Sequence, residues 1–174
     1  MLKQKYLFLI LSFFYLSLQA ETIEEIIVNG DWRESSLSQV GASLVLITDE
    51  QIEKKQYKHF EDIAYSVPNL NFAASDSRPR YFQIRGIGER SGYEGTPNSS
   101  VGFLIDDIDF SGQGGIASTY DIDQIEVYRG PQGSRMGANA LAGMVYIKTK
   151  DPEDLFELKG GVILGDFGRK DIRA

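Results

Sequence analysis

Hydrophobic positions along this chain fall into three regimes. Tyr6–Leu18 (YLFLILSFFYLSL) is a continuous apolar run without a charge. The basic stretch MLKQK precedes it, and Gln19-Ala20 leads into the acidic ETIEE. That layout predicts a secretory signal peptide over 1–20, cut after Ala20. The run is shorter than the ~20 residues a membrane-crossing helix needs. From Ser43 to Lys150 the pattern is one of short runs. SLVLIT (Ser43–Thr48) predicts a strand. Thr48-Asp49-Glu50-Gln51 then has the form of a capping box. Ile52, Phe60, Ile63, Ala64 and Val67 share one helical face, with a break expected near Gln56–Lys58 and an end at Pro68. Leu70-Asn71-Phe72 begins an extended segment. Further strands are expected at Tyr81–Arg85, Val101–Phe110 (turning at Asp106-Asp107), Ile125–Arg129 and Gly143–Lys150. Ala73–Arg80, Glu89–Ser100 and Ser111–Ser118 read as loops, and Thr119–Gln124 as a short helical or turn segment. The third regime is the tail. In Phe156–Leu164 (FELKGGVIL) apolar and polar positions alternate with period two. That is how a soluble hairpin or the first hairpin of a transmembrane barrel would read.

Strands outnumber helices, and the helices are interspersed. The fold class expected is α+β with a small mixed β-sheet and short helices. Between Ile125–Arg129 and Gly143–Lys150 lies a segment of small residues containing Gly130, Gly133, Gly137 and Gly143. Such a segment suits a tight turn or a close backbone approach.

Composition adds exclusions. With 18 Lys+Arg against 25 Asp+Glu the formal charge is −7. Two of the lysines lie in the first twenty residues and no acid does. The remainder therefore carries 16 − 25 = −9. That balance argues against nucleic-acid binding. With no cysteine there is no disulfide or thiolate metal site. One histidine, His59, in a helical stretch beside Lys58 makes a zinc site improbable. Gly86-Ile87-Gly88 follows a strand, but its next glycine is Gly92 and no helix can follow SGYEGTPNSS. The dinucleotide reading fails on that context. Asp107, Asp109, Ser111 and Gly112 match the first half of a calcium loop, yet Ser118 stands where the bidentate acid belongs. Asp106 and Asp107 read as turn residues. No nucleophile elbow or phosphate loop is present. Neither a catalytic residue nor a metal or cofactor is expected, and the chain does not read as an enzyme.

Three stretches taken in order carry a resemblance. YFQIRGIG, VGFLIDDIDF and IDQIEVYRGPQGSRMGANALAGMVYIKTKDP resemble the plug domain of TonB-dependent outer-membrane receptors. The family's closing motif aligns with Ile125-Glu126-Val127-Tyr128-Arg129-Gly130-Pro131, then Gly137, Ala140, Gly143, Tyr146-Ile147-Lys148-Thr149-Lys150 and Pro152. Ala142 stands where the family has the first of two glycines, and Met136 where it has an aromatic. The resemblance covers about Glu24 to Pro152. It implies a plug lodged in a wide barrel. Arg85, Gly86, Asp106, Glu126, Arg129, Gly130, Pro131, Gly137, Ala140 and Gly143 would form its structural motif. It implies that Arg85 and Arg129 pair with acids at the plug–barrel boundary, pack within the plug, or do both. Glu24-Glu25-Ile26-Ile27-Val28 resembles the TonB box, which would add a strand to TonB in the periplasm. The organisation expected is a signal peptide (1–20), TonB box and linker (21–39), plug (40–152) and the start of a β-barrel (153–174). The partners implied are TonB, the chain's own C-terminal barrel and a small ligand met by the three loops.

Family members run to several hundred residues, and one barrel strand with part of a second cannot stand in hydrocarbon. These residues alone are therefore not expected to form a pore. Two readings remain open. One is the gate of an outer-membrane transporter for a scarce ligand such as a ferric siderophore. The other is a stand-alone soluble periplasmic binding or signalling module that reuses the plug fold.

Overall fold

The computed structural model describes residues 26–30, 35–74, 78–91, 98–113, 117–152, 160–168 and 170–173. The signal-peptide region, Glu24, Glu25 and residues 153–159 of the alternating tail lie outside them. The chain divides into two compact units, residues 1–41 and 42–174.

In the first unit, β1 (Ile27–Val28) pairs antiparallel with β2 (Ser35–Ser36). A single turn of 3-10 helix, Leu37–Gln39, follows, and its Leu37 amide donates to the Ile26 carbonyl.

The second unit opens with β3 (Leu44–Thr48) and α1 (Asp49–Lys55). The Thr48 hydroxyl accepts from the Gln51 amide at 3.5 Å, one half of the expected capping box. The helix stops where Gln56 turns left-handed (φ 54°). There Tyr57 N–H reaches the Ile52 carbonyl and Gln56 N–H the Glu53 carbonyl, a Schellman pair that satisfies the last free carbonyls. The break expected near Gln56–Lys58 is therefore real. α2 (Phe60–Ala64) starts four residues after Gln56, with the Asp62 carboxylate accepting from the Lys58 and His59 amides.

β4 (Leu70–Ala74), β5 (Pro79–Ile84) and β6 (Ile87–Gly88) form an antiparallel three-stranded sheet. The loop expected over Ala73–Arg80 is shorter than read, because Ala73, Ala74, Pro79 and Arg80 extend the two strands. β7 (Val101–Ile105), β8 (Ile108–Asp109), β9 (Ile122–Arg129) and β10 (Gly143–Thr149) join β3 in a five-stranded sheet of order β3-β9-β10-β7-β8. The sheet is mixed: β10 runs parallel to β7 and antiparallel to β9. β9 starts at Ile122, three residues before the expected strand. Asp121 makes the turn (φ 61°), and a register shift at Lys148/Thr149 lets Ile122 pair with Thr149. Within the small-residue segment is a four-residue helix, α3 (Gly133–Met136). β11 (Gly161–Leu164) and β12 (Lys170–Arg173) close the chain as an antiparallel hairpin.

One face of the five-stranded sheet is apolar along its length, with Arg129 at its end. Ile47, Ile125, Val127, Val145, Ile147, Val101 and Phe103 pack there against Ile52 of α1, Phe60, Ile63 and Ala64 of α2, and Phe82 and Ile84 of β5. Phe60, Phe82 and Phe103 meet with ring centroids 5.0–5.5 Å apart. At roughly 1.5–3 kcal/mol per buried large apolar side chain, this face is the main stabilising element of the unit.

Candidate functional site

Two tight turns and one strand end position the motif residues. Ile84 pairs with Ile87, so Arg85 and Gly86 form a two-residue hairpin turn. Both have positive φ (53° and 80°), the geometry of a type I′ turn. Arg85 is therefore a turn residue and not the end of the preceding strand. An arginine held left-handed is backbone strain of about 1 kcal/mol or more, a pattern that clusters at working sites. Its amide is held by the Asn69 carbonyl at 2.9 Å, and its side chain is exposed.

Arg129 ends β9. Its amide donates to the Ser43 carbonyl at 2.8 Å, and it lies opposite Gly143 in the ladder. Gly130 follows at φ 134° and donates to the Ala142 carbonyl. A Cβ on Gly130 would lie 4.0 Å from Arg85 Nη1. The structure thus gathers Arg85, Gly86, Arg129, Gly130 and Gly143 at one end of the sheet. Arg129 Nε is buried and has no hydrogen-bond partner among the described residues. Two exposed apolar side chains, Ile87 and Leu141, lie within two residues of Arg85 and Ala142 in the chain. Pro131 is exposed.

Asp106 and Glu126 are not at that end. Asp106 sits where β10 finishes, about 20 Å away at ~3.3 Å per residue. Asp106 and Asp107 (φ 46° and 68°) make a second type I′ turn, between Ile105 and Ile108. The Asp106 carboxylate accepts from Thr149 N at 2.9 Å and Thr149 Oγ1 at 2.6 Å, and its amide donates to the Ile147 carbonyl. Beside this clasp, Lys150 Nζ lies 3.0 Å from Asp49 Oδ2 and Lys148 Nζ 2.7 Å from Asp151 Oδ1. These bonds raise both lysine pKa values.

Glu126 is fully buried on the second face of the sheet. Its carboxylate accepts from Gln124 Nε2 and Tyr128 OH, each at 2.7 Å. On the next strand, burial first and then Asp107 push the Tyr146 hydroxyl far above its usual range. Ala140 is buried at φ 72°, its Cβ 3.1 Å from where a side chain on Gly102 would begin. Gly137 (φ 69°) is exposed.

The described ends of the loops show how they are held. Glu89 is nearly buried and accepts from the Ser100 amide at 2.9 Å and the Ser100 hydroxyl at 2.6 Å. The Ser111 hydroxyl accepts from Phe103 N, and Ser118 bridges to His59. Of the positions expected to form a TonB box, Ile26 and Ile27 are exposed and Val28 is buried.

Residues 36–144 match the family model for the TonB-dependent Receptor Plug Domain. The chain belongs to this plug family. It is 28% identical over 142 residues to the vitamin B12 transporter BtuB of Vibrio vulnificus (strain CMCP6), covering 78% of this chain and 22% of that protein. It is 28% identical over 162 residues to the ferric enterobactin receptor PirA of Pseudomonas aeruginosa (77% of this chain, 21% of the relative). Among solved structures, the siderophore receptor PiuA from Acinetobacter baumannii superposes with a TM-score of 0.63 at 23% identity. It covers 79% of this chain and 18% of PiuA. The ferripyoverdine receptor of Pseudomonas aeruginosa gives 0.61 at 18%, with the same coverages. At these identities the structures bear on the plug fold alone. The chain spans about a fifth of the length of the curated relatives it matches. Those relatives are named as a transporter and a receptor, not as enzymes, and plug domains of this family belong to outer-membrane receptors.

Proposed function

We propose that this chain is the gate of a TonB-dependent outer-membrane transporter, importing a scarce ligand of the ferric-siderophore or cobalamin kind. The plug-family match over residues 36–144 carries the reading. The names of the curated relatives supply the ligand classes.

On this reading each motif group has its own task. Arg85 and Arg129 share one end of the sheet, one guanidinium exposed and the other with an unpartnered Nε. They are the groups suited to pair with carboxylates on the wall of the chain's own barrel. Glu24, Glu25, Ile26, Ile27 and Val28 form the TonB box. Alternation along an extended segment sets Ile26 and Val28 on one side and Ile27 on the other, and the backbone would add to a TonB sheet edge. Gly86, Gly130, Pro131, Gly137, Ala140 and Gly143 shape the turns between. The loop within Ala73–Arg80, the loop after Glu89 and that after Ser111 are the ligand-facing candidates.

The test uses the full-length receptor. Ile27→Pro removes an amide from strand addition. Energised uptake of ferric enterobactin or vitamin B12 should be lost while surface binding of the same ligand persists. Normal uptake by this variant would remove the TonB-box assignment. A soluble, barrel-free protein with intact ligand affinity would instead favour the binding-module reading.

A further inference from the structure

Two arginines, Arg78 and Arg80, stand at the start of β5, away from the Arg85 turn that follows its end. β4 and β5 pair in register from Leu70–Ile84 to Ala73–Tyr81, and the next pair is Ala74–Pro79. Arg80 is therefore the extra residue of a β-bulge. Under regular alternation it would share the side of Phe82 and Ile84, which belong to the core. A bulge re-aims the side chain it inserts, and Arg80 is exposed.

The Arg80 guanidinium is held from two directions. Nε donates to the Gly112 carbonyl at 3.3 Å, and the guanidinium carbon lies 5.6 Å from the centre of the Tyr81 ring. These contacts leave both terminal nitrogens without a protein partner among the described residues. The Cα of Arg78 is at most ~7 Å from that of Arg80. Arg78 is half-buried, and its Nη1 is buried with no hydrogen-bond partner among the described residues. A buried charged donor left unpaired is costly, and an arriving oxyanion would remove that cost. Neither arginine forms an ion pair among the described residues, in a chain of formal charge −7. Asp109, three residues before Gly112, is already engaged. Its Oδ1 accepts from the Ser111 amide at 2.8 Å and its Oδ2 from the Asn139 carboxamide at 2.7 Å. A guanidinium fork matches two oxygens held side by side, as on a carboxylate or a catecholate.

We propose that Arg78 and Arg80 form an anion-binding site for a small ligand with paired anionic oxygens, and that the imported ligand is a negatively charged iron chelate of the catecholate or carboxylate kind, not an overall neutral corrinoid. The choice of imported ligand rests on the transporter reading. The anion site does not.

Gallium tris-catecholate and gallium citrate, diamagnetic stand-ins for the iron chelates, are titrated into the 174-residue chain, with vitamin B12 as the neutral probe. One of the gallium chelates should bind and move the Nε–H resonances of both arginines, and the tighter of the two names the oxygen class. Its binding should weaken as sodium chloride is raised. Arg78→Gln and Arg80→Gln should each weaken it roughly tenfold. Arg80→Lys, which keeps the charge and loses the fork, should recover only part of that loss. No binding of either chelate, indifference to salt, or indifference to both glutamine substitutions overturns the proposal. So does an equal loss of vitamin B12 binding, which would mark the effect as structural. Arg80→Gln also removes the Gly112 bond, and if it fails to fold, Arg78→Gln and the salt dependence decide. In cells carrying the full-length receptor, energised uptake of the ferric form of the bound chelate should fall when both arginines are replaced by glutamine. Undiminished uptake by that double variant, or uptake of vitamin B12 alone, leaves the transporter reading standing and overturns the choice of ligand. Arginine-dependent binding by the chain with no energised uptake of any probe keeps the anion site and removes the transporter reading.

Discussion

Gly143→Ala tests why glycine stands at the start of β10, where the backbone φ is 158° and the paired strand approaches closely. A Cβ at this position would fall well inside van der Waals contact distance of the Tyr128 carbonyl oxygen and lie 2.6 Å from Ile84 Cδ1. The first obstacle is backbone of the paired strand, which has no rotamer to escape into. The second is a fully buried side chain of the core. Relief requires β10 to move away from β9 at the Gly143–Arg129 pair, which also shifts Arg129. Overpacking of this kind costs about 1–3 kcal/mol, and obstruction by backbone puts it at the upper end, about 3 kcal/mol. With a urea dependence of about 2 kcal/mol per molar, the unfolding midpoint should fall by roughly 1.5 M. The assay is urea unfolding followed by far-ultraviolet circular dichroism. Gly133→Ala is the control. It lies in α3 with no atom within 4 Å of its would-be Cβ. There the substitution should be neutral or stabilise by up to about 1 kcal/mol. A Gly143→Ala midpoint within about 0.3 M of the parent would refute the claim that close strand approach is why glycine stands there.

Two further expectations follow from the other end of the sheet. Asp106→Ala deletes both bonds to Thr149 and places alanine at φ 46°, so it should cost about 2–4 kcal/mol. Asp106→Asn, which tolerates the left-handed turn and keeps an acceptor, should cost about half as much in the same unfolding assay. Equal losses would show that the turn geometry contributes nothing. Tyr146 gives the pH dependence. Its phenol is held neutral in the fold by burial, then by the charge and hydrogen bond of Asp107, while the unfolded phenol ionises near pH 10. The folded state therefore holds more protons above that pH, and stability should fall as pH rises past about 10. Lys148 and Lys150, raised by Asp151 and Asp49, act in the same direction. Tyr146→Phe should make the decline shallower, and an unchanged slope would exclude the phenol as its source.

The strands, the helix break at Gln56 and the Asp106-Asp107 turn were legible because each rests on local chemistry. Alternating β-branched runs, a left-handed stop and paired acids in a hairpin turn all act within a few residues. The boundaries that moved depend on distant partners. Ile122 joins β9 because a register shift in β10 offers it Thr149. Arg85 leaves its strand because Ile87 returns to pair with Ile84. The clasps of Asp106 on Thr149 and Glu89 on Ser100 span 43 and 11 residues, and no spacing rule in the sequence announces them. The grouping of Arg85 with Arg129 came from the family pattern, and the fold then gave it a place at one end of the sheet.

Glu126 stands between Ile125 and Val127, where simple alternation along a half-buried strand would set it toward solvent. Instead it is fully buried and hydrogen-bonded along its own strand to Gln124 and Tyr128. A domain selected for stability alone would fill such a face with aliphatic side chains, since replacing buried ionic groups by well-packed apolar ones is often neutral or stabilising.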